Sequence, residues 1–121
     1  MSKVFVIAEA GVNHNGDIKI ARKLIDVASS AGVDAVKFQT FQAERLVCKN
    51  TEKAAYQLAV TDKSETQYDM LKKLELTEQM HKELIEYCDR KKIMFLSSPF
   101  DLESIKFLAN LDMQVIKIPS G

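Results

Sequence analysis

The stretch Ala35-Val36-Lys37-Phe38-Gln39-Thr40 sets a lysine between a valine and a phenylalanine. Side chains along a strand alternate between faces, so Val36 and Phe38 share one face and Lys37 and Gln39 the other. Lysine is rarely buried without a partner, because an unpaired ammonium is costly to take out of water. These six residues therefore predict a strand with an apolar face against a core and a polar face that meets an anion.

The same grammar repeats on either side. Val4 to Ala10 is almost continuously apolar, as expected of a strand covered on both faces, and carries Glu9 at its end. Gly11 to Gly16 is a turn-rich loop. Asp17 then opens a helix with Ile18, Ala21, Leu24, Ile25 and Ala28 at helical spacing, and Gly32 stops it. Thr40 to about Ser64 is a long connection without a strong period, in which Glu52 to Ala59 could form a helical turn or two. Glu65 to Leu74 reads as helical. Thr77 caps a further helix with Met80, Leu84, Tyr87 and Cys88 on one face. Ile93 to Ser97 is a third strand, which Ser98-Pro99 breaks because proline has no N–H for a ladder. Asp101 caps a helix with Leu102, Ile105 and Leu108 inward. Val115 to Ile118 is a fourth strand, followed by Pro119-Ser120-Gly121.

Strands that alternate with helices imply a parallel sheet with right-handed crossovers. Two architectures satisfy that order: an open doubly wound sheet and a closed eight-stranded barrel. A nucleotide-binding open sheet would show GxGxxG after the first strand, but the turn here is Gly-Val-Asn-His-Asn-Gly, and no Walker-type GK[ST] occurs. In a barrel, the polar faces of the strands would converge near the C-terminal rim of the closed interior, where active sites lie. Lys37 and Lys117 would hold a phosphate or carboxylate there. Glu9 and Gln39 would stand beside them, and the hydroxyls of Ser98 and Ser120 would add hydrogen bonds. A single such lysine might merely snorkel to water; two, each followed by a polar strand-end group, point to a pocket for an anionic substrate.

Other features bound the function. Seventeen basic residues balance seventeen acidic ones, so no basic excess advertises nucleic acid or an anionic membrane. No run approaches the roughly 18 apolar residues of a membrane span. The start lacks the apolar length of a signal peptide. Cys48 and Cys88 are too far apart for a CxxC motif and read as free thiols of a reducing compartment, which makes the chain cytoplasmic. His14 has no second ligand at a metal-type spacing and reads as a hydrogen-bonding loop residue. His81, among Lys82 and Glu83, reads as surface, and so do Tyr56 and Gln57 in the long connection.

The segments IAEAGVNHNGD, LIDVASSAGVDAVKFQTF, YDMLKKLEL, FLSSPFD and IKIPSG resemble the sialic acid synthase family, whose members include bacterial N-acetylneuraminate, legionaminate and pseudaminate synthases. The stretch KAAYQ followed by SETQYDMLKKLEL looks like the neuraminate and legionaminate branch. The resemblance implies a (β/α)8 TIM barrel that condenses phosphoenolpyruvate with an open-chain N-acetyl-amino sugar such as N-acetylmannosamine, giving a nonulosonic acid and phosphate. By position, Lys37 and Lys117 match phosphoenolpyruvate-binding lysines, Glu9 a glutamate near the reacting centre, Gln39 a sugar-contacting glutamine, and Ser98 and Ser120 hydroxyl positions. Pro119 departs from the family, where a small residue is frequent. Mn2+ or Mg2+ is implied as cofactor, with its ligands expected beyond residue 121. A homodimer is implied as well, with a C-terminal antifreeze-like domain that these residues do not include. A complete barrel needs about 250 residues. Residues 1–121 are thus expected to form the N-terminal half of one. By themselves they would be an inactive half-barrel whose edge strands invite self-association.

Overall fold

The computed structural model describes residues 3–47 and 66–120. Among them lie β1 (Ile7–Gly11), α1 (Ile18–Ser30), β2 (Ala35–Thr40), α2 (Ala43–Leu46), α3 (Gln67–Lys73), α4 (Glu78–Lys91), β3 (Met94–Pro99) and α5 (Leu102–Asn110). The strands form a parallel sheet in the order β1-β2-β3. That order follows the chain without reversal. Helices α1 and α4 also pack against each other, joined by Arg22 to Glu83 at 3.2 Å and by the Tyr87 hydroxyl to Asp26 at 2.5 Å. Both crossovers therefore cover the same face of the sheet. A doubly wound sheet would reverse its strand order and place helices on both faces. This is the singly wound arrangement of a barrel wall.

The core lies between that face and the helices. Val36, Phe38 and Phe95 project from the strands and meet Ala21, Ile25 and Ala28 of α1 and Leu84 and Cys88 of α4. The Phe38 and Phe95 rings stack at 5.4 Å. Burying a side chain such as Phe38 or Ile25, both fully inaccessible, contributes on the order of 1.5–3 kcal/mol. Burial also pushes the Cys88 thiol up to about 12, so this free cysteine is an inert core residue.

Three helices begin as the sequence predicts. Asp17, Thr77 and Asp101 each accept a backbone N–H of the first turn, from Lys19, Met80 and Ser104. Gly32 follows the end of α1 in the left-handed conformation.

Four expectations are corrected. β1 starts at Ile7 rather than Val4, and Val4 to Ile7 are 45–75% exposed. Ahead of Ile7 the chain is latched differently: the Val6 N–H donates to the Asp34 carboxylate at 2.8 Å, so the side chain of Asp34 takes the place of a ladder acceptor. Pro99 ends β3 instead of breaking it. The Phe100 N–H reaches the Thr40 carbonyl while the Ser97 carbonyl faces residue 117, so odd-numbered positions point away from β2 and no N–H is demanded of Pro99 by that ladder. In α5 the buried residues are Ser104 and Leu108, whereas Leu102 and Ile105 are 74% and 40% exposed. Val115 to Ile118 is extended but joins no ladder; a single bond from the Lys117 N–H to the Ser97 carbonyl, 3.2 Å, ties it beside β3. The expected turns over Glu52 to Ala59 and the residues Cys48, Tyr56 and Gln57 lie outside the described residues.

Candidate active site

The sheet face away from the helices is polar. Parallel register aligns Glu9 with Lys37 and Lys37 with Leu96, and one step further aligns Gln39 with Ser98. The Lys37 ammonium lies 2.7 Å from a Glu9 carboxylate oxygen and donates to the Ser98 hydroxyl at 3.3 Å. The Lys37 side chain is only 14% exposed and Ser98 only 2%, while the Glu9 side chain is 54% exposed. A nearly buried ammonium is thus matched by a carboxylate that keeps most of its hydration. An ammonium has three donors. Two are used among the described residues, which leaves one for a ligand. Ser98 accepts from Lys37, so its own O–H is free to donate.

Lys117 and Ser120 are not brought into this cluster. In a parallel ladder, the bond from Lys117 to the Ser97 carbonyl would register Lys117 with Ser98. Lys117 is nevertheless exposed and its ammonium donates to its neighbour's carbonyl, Ile118, at 2.6 Å. Ser120 is exposed too. The structure therefore joins Glu9, Lys37 and Ser98 by direct contacts, sets Gln39 on the same face, and leaves Lys117 and Ser120 at the adjoining edge.

A second polar group lies behind the sheet, and here the sequence reading needs correction. His81 is not on the surface; it is 1% exposed. Its Nδ1 lies 2.8 Å from the Thr77 carbonyl and its Nε2 2.8 Å from the Thr40 hydroxyl, which lies 2.6 Å from the Ser97 hydroxyl. A carbonyl only accepts, so Nδ1 carries the proton of the neutral ring. Nε2 then accepts from Thr40, and Thr40 accepts from Ser97. Burial holds the His81 pKa below the usual imidazole range. The chain of bonds fastens α4 to the ends of β2 and β3, one residue from Gln39 and Ser98. A signal was available: Thr77, His81, Leu84 and Cys88 follow helical spacing, so His81 shares the apolar stripe. His14 is fully buried, and its Nδ1 accepts the Gly16 N–H at 2.8 Å. Its pKa is lowered by burial and then by repulsion from His81.

With this geometry described, the relatives can be named. The NeuB family pattern matches residues 24–121. The chain belongs to the NeuB family. Relatives include two proteins named N,N'-diacetyllegionaminic acid synthase. That of Campylobacter jejuni is 50% identical over all 121 residues, which cover 36% of the relative. That of Legionella pneumophila is 53% identical over 117 residues, 97% of this chain and 33% of the relative. Among solved structures, the N-acetylneuraminic acid synthetase of Leptospira borgpetersenii superposes with a TM-score of 0.79 at 31% identity, over 97% of this chain and 36% of that one. The chain spans about a third of the length of the curated relatives it matches. Its fold class is the TIM barrel of the sialic acid synthases, represented here by a parallel three-stranded portion with its helices.

The divalent ion implied for NeuB-family enzymes was tested against the side chains described here. No three His, Cys, Asp or Glu residues among them converge. Glu9 is engaged by Lys37, both His81 nitrogens are used, and His14 Nδ1 is taken by Gly16. These residues do not fit a metal ion, and no chemical step is assigned to one here. No helix among the described residues is long and apolar enough to cross a membrane.

Proposed function

We propose that this chain supplies part of the phosphoenolpyruvate site of a nonulosonic acid synthase. The observation that carries the reading is the Lys37 ammonium, nearly buried on the barrel-facing side of the sheet and bridged to Glu9 and Ser98. An enol phosphate carries carboxylate and phosphate oxygens. The remaining Lys37 donor and the Ser98 O–H are suited to receive one of them, with the low local dielectric strengthening each contact. Glu9 already balances the ammonium, so an arriving anion shares the cation with it and favours movement of the carboxylate toward solvent. Lys117, one strand further, supplies the second cation once its side chain turns from the Ile118 carbonyl. Gln39 and Ser120 act as substrate-binding groups at the same rim.

In the reaction, carbon 3 of phosphoenolpyruvate attacks the aldehyde carbon of an open-chain N-acetyl-amino sugar. Water adds at carbon 2, and the tetrahedral intermediate expels phosphate. Lys37 and Lys117 orient the enol phosphate and offset charge on the departing phosphate. Glu9, beside Lys37, accepts or returns a proton near the reacting carbons. The Mn2+ or Mg2+ implied by the family would act as a Lewis acid on the aldehyde, held by residues beyond those described. We assign the intact protein to the cytoplasm as a homodimer, with the remainder of the barrel and a C-terminal domain completing it; the free buried thiol of Cys88 agrees with a reducing compartment.

The acceptor follows from the pattern of identities. The two legionaminate-type relatives are 50% and 53% identical, whereas proteins named pseudaminic acid synthase from Campylobacter jejuni are 34% and 33% identical and N-acetylneuraminate-9-phosphate synthases from mouse and human 34% and 32%. A diacetamido 6-deoxy sugar is therefore the favoured acceptor. The test is sugar-dependent phosphate release from phosphoenolpyruvate by the intact protein. The diacetamido sugar should give the highest kcat/KM and N-acetylmannosamine a lower one. Phosphate release that no N-acetyl-amino sugar stimulates would rule the reading out.

A further inference from the structure

We propose that Gly11 is a positioning residue for Glu9, keeping open the space that the Glu9 carboxylate occupies; this rests on the functional reading above. β1 and β2 run in register through Glu9 and Lys37. The register then slips by one residue, so that Gly11 rather than Ala10 faces Phe38. Such a bulge re-aims the side chains beside it. Gly11 sits there in the left-handed conformation, φ +54°.

A Cβ built on Gly11 would lie 3.1 Å from Glu9 Oε1 and 3.8 Å from Gln39 Nε2, and its third nearest neighbour would be the Glu9 carboxyl carbon at 3.8 Å. All three contacts belong to the polar face and none to the core. A side chain at this position would therefore press on the site groups, not on the packing that holds the fold. Glu9 is half exposed and would yield. Its other carboxylate oxygen lies 2.7 Å from Lys37, so a displaced Oε1 carries the ion pair with it. The consequence is a carboxylate moved relative to Lys37, with the sheet intact.

Gly32 provides the control. It is also left-handed, φ +76°, yet a Cβ there would meet nothing within 4 Å. Asparagine tolerates the left-handed region, so Gly11→Asn and Gly32→Asn in the intact protein share the backbone demand and differ in what the side chain strikes. Both variants are expected to melt near the parent temperature. Gly32→Asn should keep the parent kinetics, and Gly11→Asn should lose about tenfold or more in kcat for sugar-dependent phosphate release, the scale of a small misplacement of a reacting group. A crystal structure of Gly11→Asn should show the Glu9 carboxylate displaced from Lys37. If Gly11→Asn does not fold, Gly11→Ala, which adds the Cβ alone, is read in the same two ways. Unchanged kinetics in an active protein, or an unmoved Glu9–Lys37 pair in the crystal, would overturn the proposal. An inactive parent would instead count against the functional reading, while the crystallographic comparison would still decide the role of Gly11.

Discussion

Lys37 and Ser98 make unequal contributions to one cluster, and their substitutions should separate binding from stability. Lys37→Ala leaves Glu9 without its partner, but Glu9 is half exposed and rehydrates. The stability change should stay within about 1 kcal/mol, while saturation with phosphoenolpyruvate is lost. Ser98→Ala removes one donor to the ligand and should raise the phosphoenolpyruvate KM by about five- to tenfold, the worth of one hydrogen bond. Steady-state kinetics alongside thermal melts check both; a Lys37→Ala variant that saturates normally would remove Lys37 from the site. The alternation of Val36, Lys37, Phe38 and Gln39 made this face legible from sequence, because a strand has a fixed period of two. His81 was illegible to a reading of neighbours alone, since Lys82 and Glu83 flank it and only helical spacing reveals its side.

The two buried histidines set a pH dependence. Both have folded-state pKa values below the ordinary 6.5, His14 through burial and then repulsion from His81, and His81 through burial. Protons therefore bind the unfolded chain more readily. Stability is complete above the unfolded value and is lost as pH falls from there toward the lowered folded values, by up to about 1.4 kcal/mol per pH unit for each histidine. Thermal melts between pH 8 and pH 5 should fall on the acid side. His81→Gln should flatten that fall, and an equally steep fall in the variant would assign the effect to other groups.

At the scale of elements, caps were legible and strand margins were not. Asp17, Thr77 and Asp101 announce helix starts because a short acceptor side chain meets the unpaired N–H groups of a first turn. The caps differ in weight. Asp17 accepts from Lys19 alone, whereas Asp101 accepts from the Ser104 N–H and hydroxyl and also receives Arg45 at 3.2 Å. Asp101→Ala should therefore destabilise by more than the roughly 1 kcal/mol of an ordinary cap, and Asp17→Ala by about that amount. Urea titrations of both variants check the order, and equal losses would show that the extra partners of Asp101 add nothing. Strand ends resisted sequence reading because they are set by partners distant in the chain. The Asp34 carboxylate, 28 residues from Val6, decides where β1 begins, and the side to which odd-numbered residues of β3 point decides that Pro99 is accommodated. For residues 115–118, apolar composition announced a strand, yet one hydrogen bond to β3 does not make a ladder.

At the scale of the molecule, the parallel order β1-β2-β3 with helices on one face gives the sheet an apolar flank at each side. Val4, Phe5, Val6 and Ile7 are exposed beside β1, and Val115 and Ile118 beyond β3. Unpaired strand edges with apolar side chains are templates for further pairing. A polypeptide of these 121 residues alone is expected to self-associate, and light scattering that finds a stable monomer would contradict this. The barrel class was legible from the alternation of strands and helices together with the missing phosphate-binding glycines. The Glu9–Lys37–Ser98 contacts needed the register, which sequence does not provide.

The central claim is that phosphoenolpyruvate forms a carbon–carbon bond through its carbon 3 with the aldehyde carbon of an N-acetyl-amino sugar. The direct measurement is 13C NMR of a reaction containing the intact protein, a diacetamido 6-deoxy sugar and phosphoenolpyruvate labelled at carbon 3. The account predicts that the label appears in a methylene coupled to the new carbon chain, in step with phosphate release. Label recovered in the methyl group of pyruvate, with phosphate released and the sugar unchanged, would mean that the protein hydrolyses the ester without condensing it, and would contradict the account.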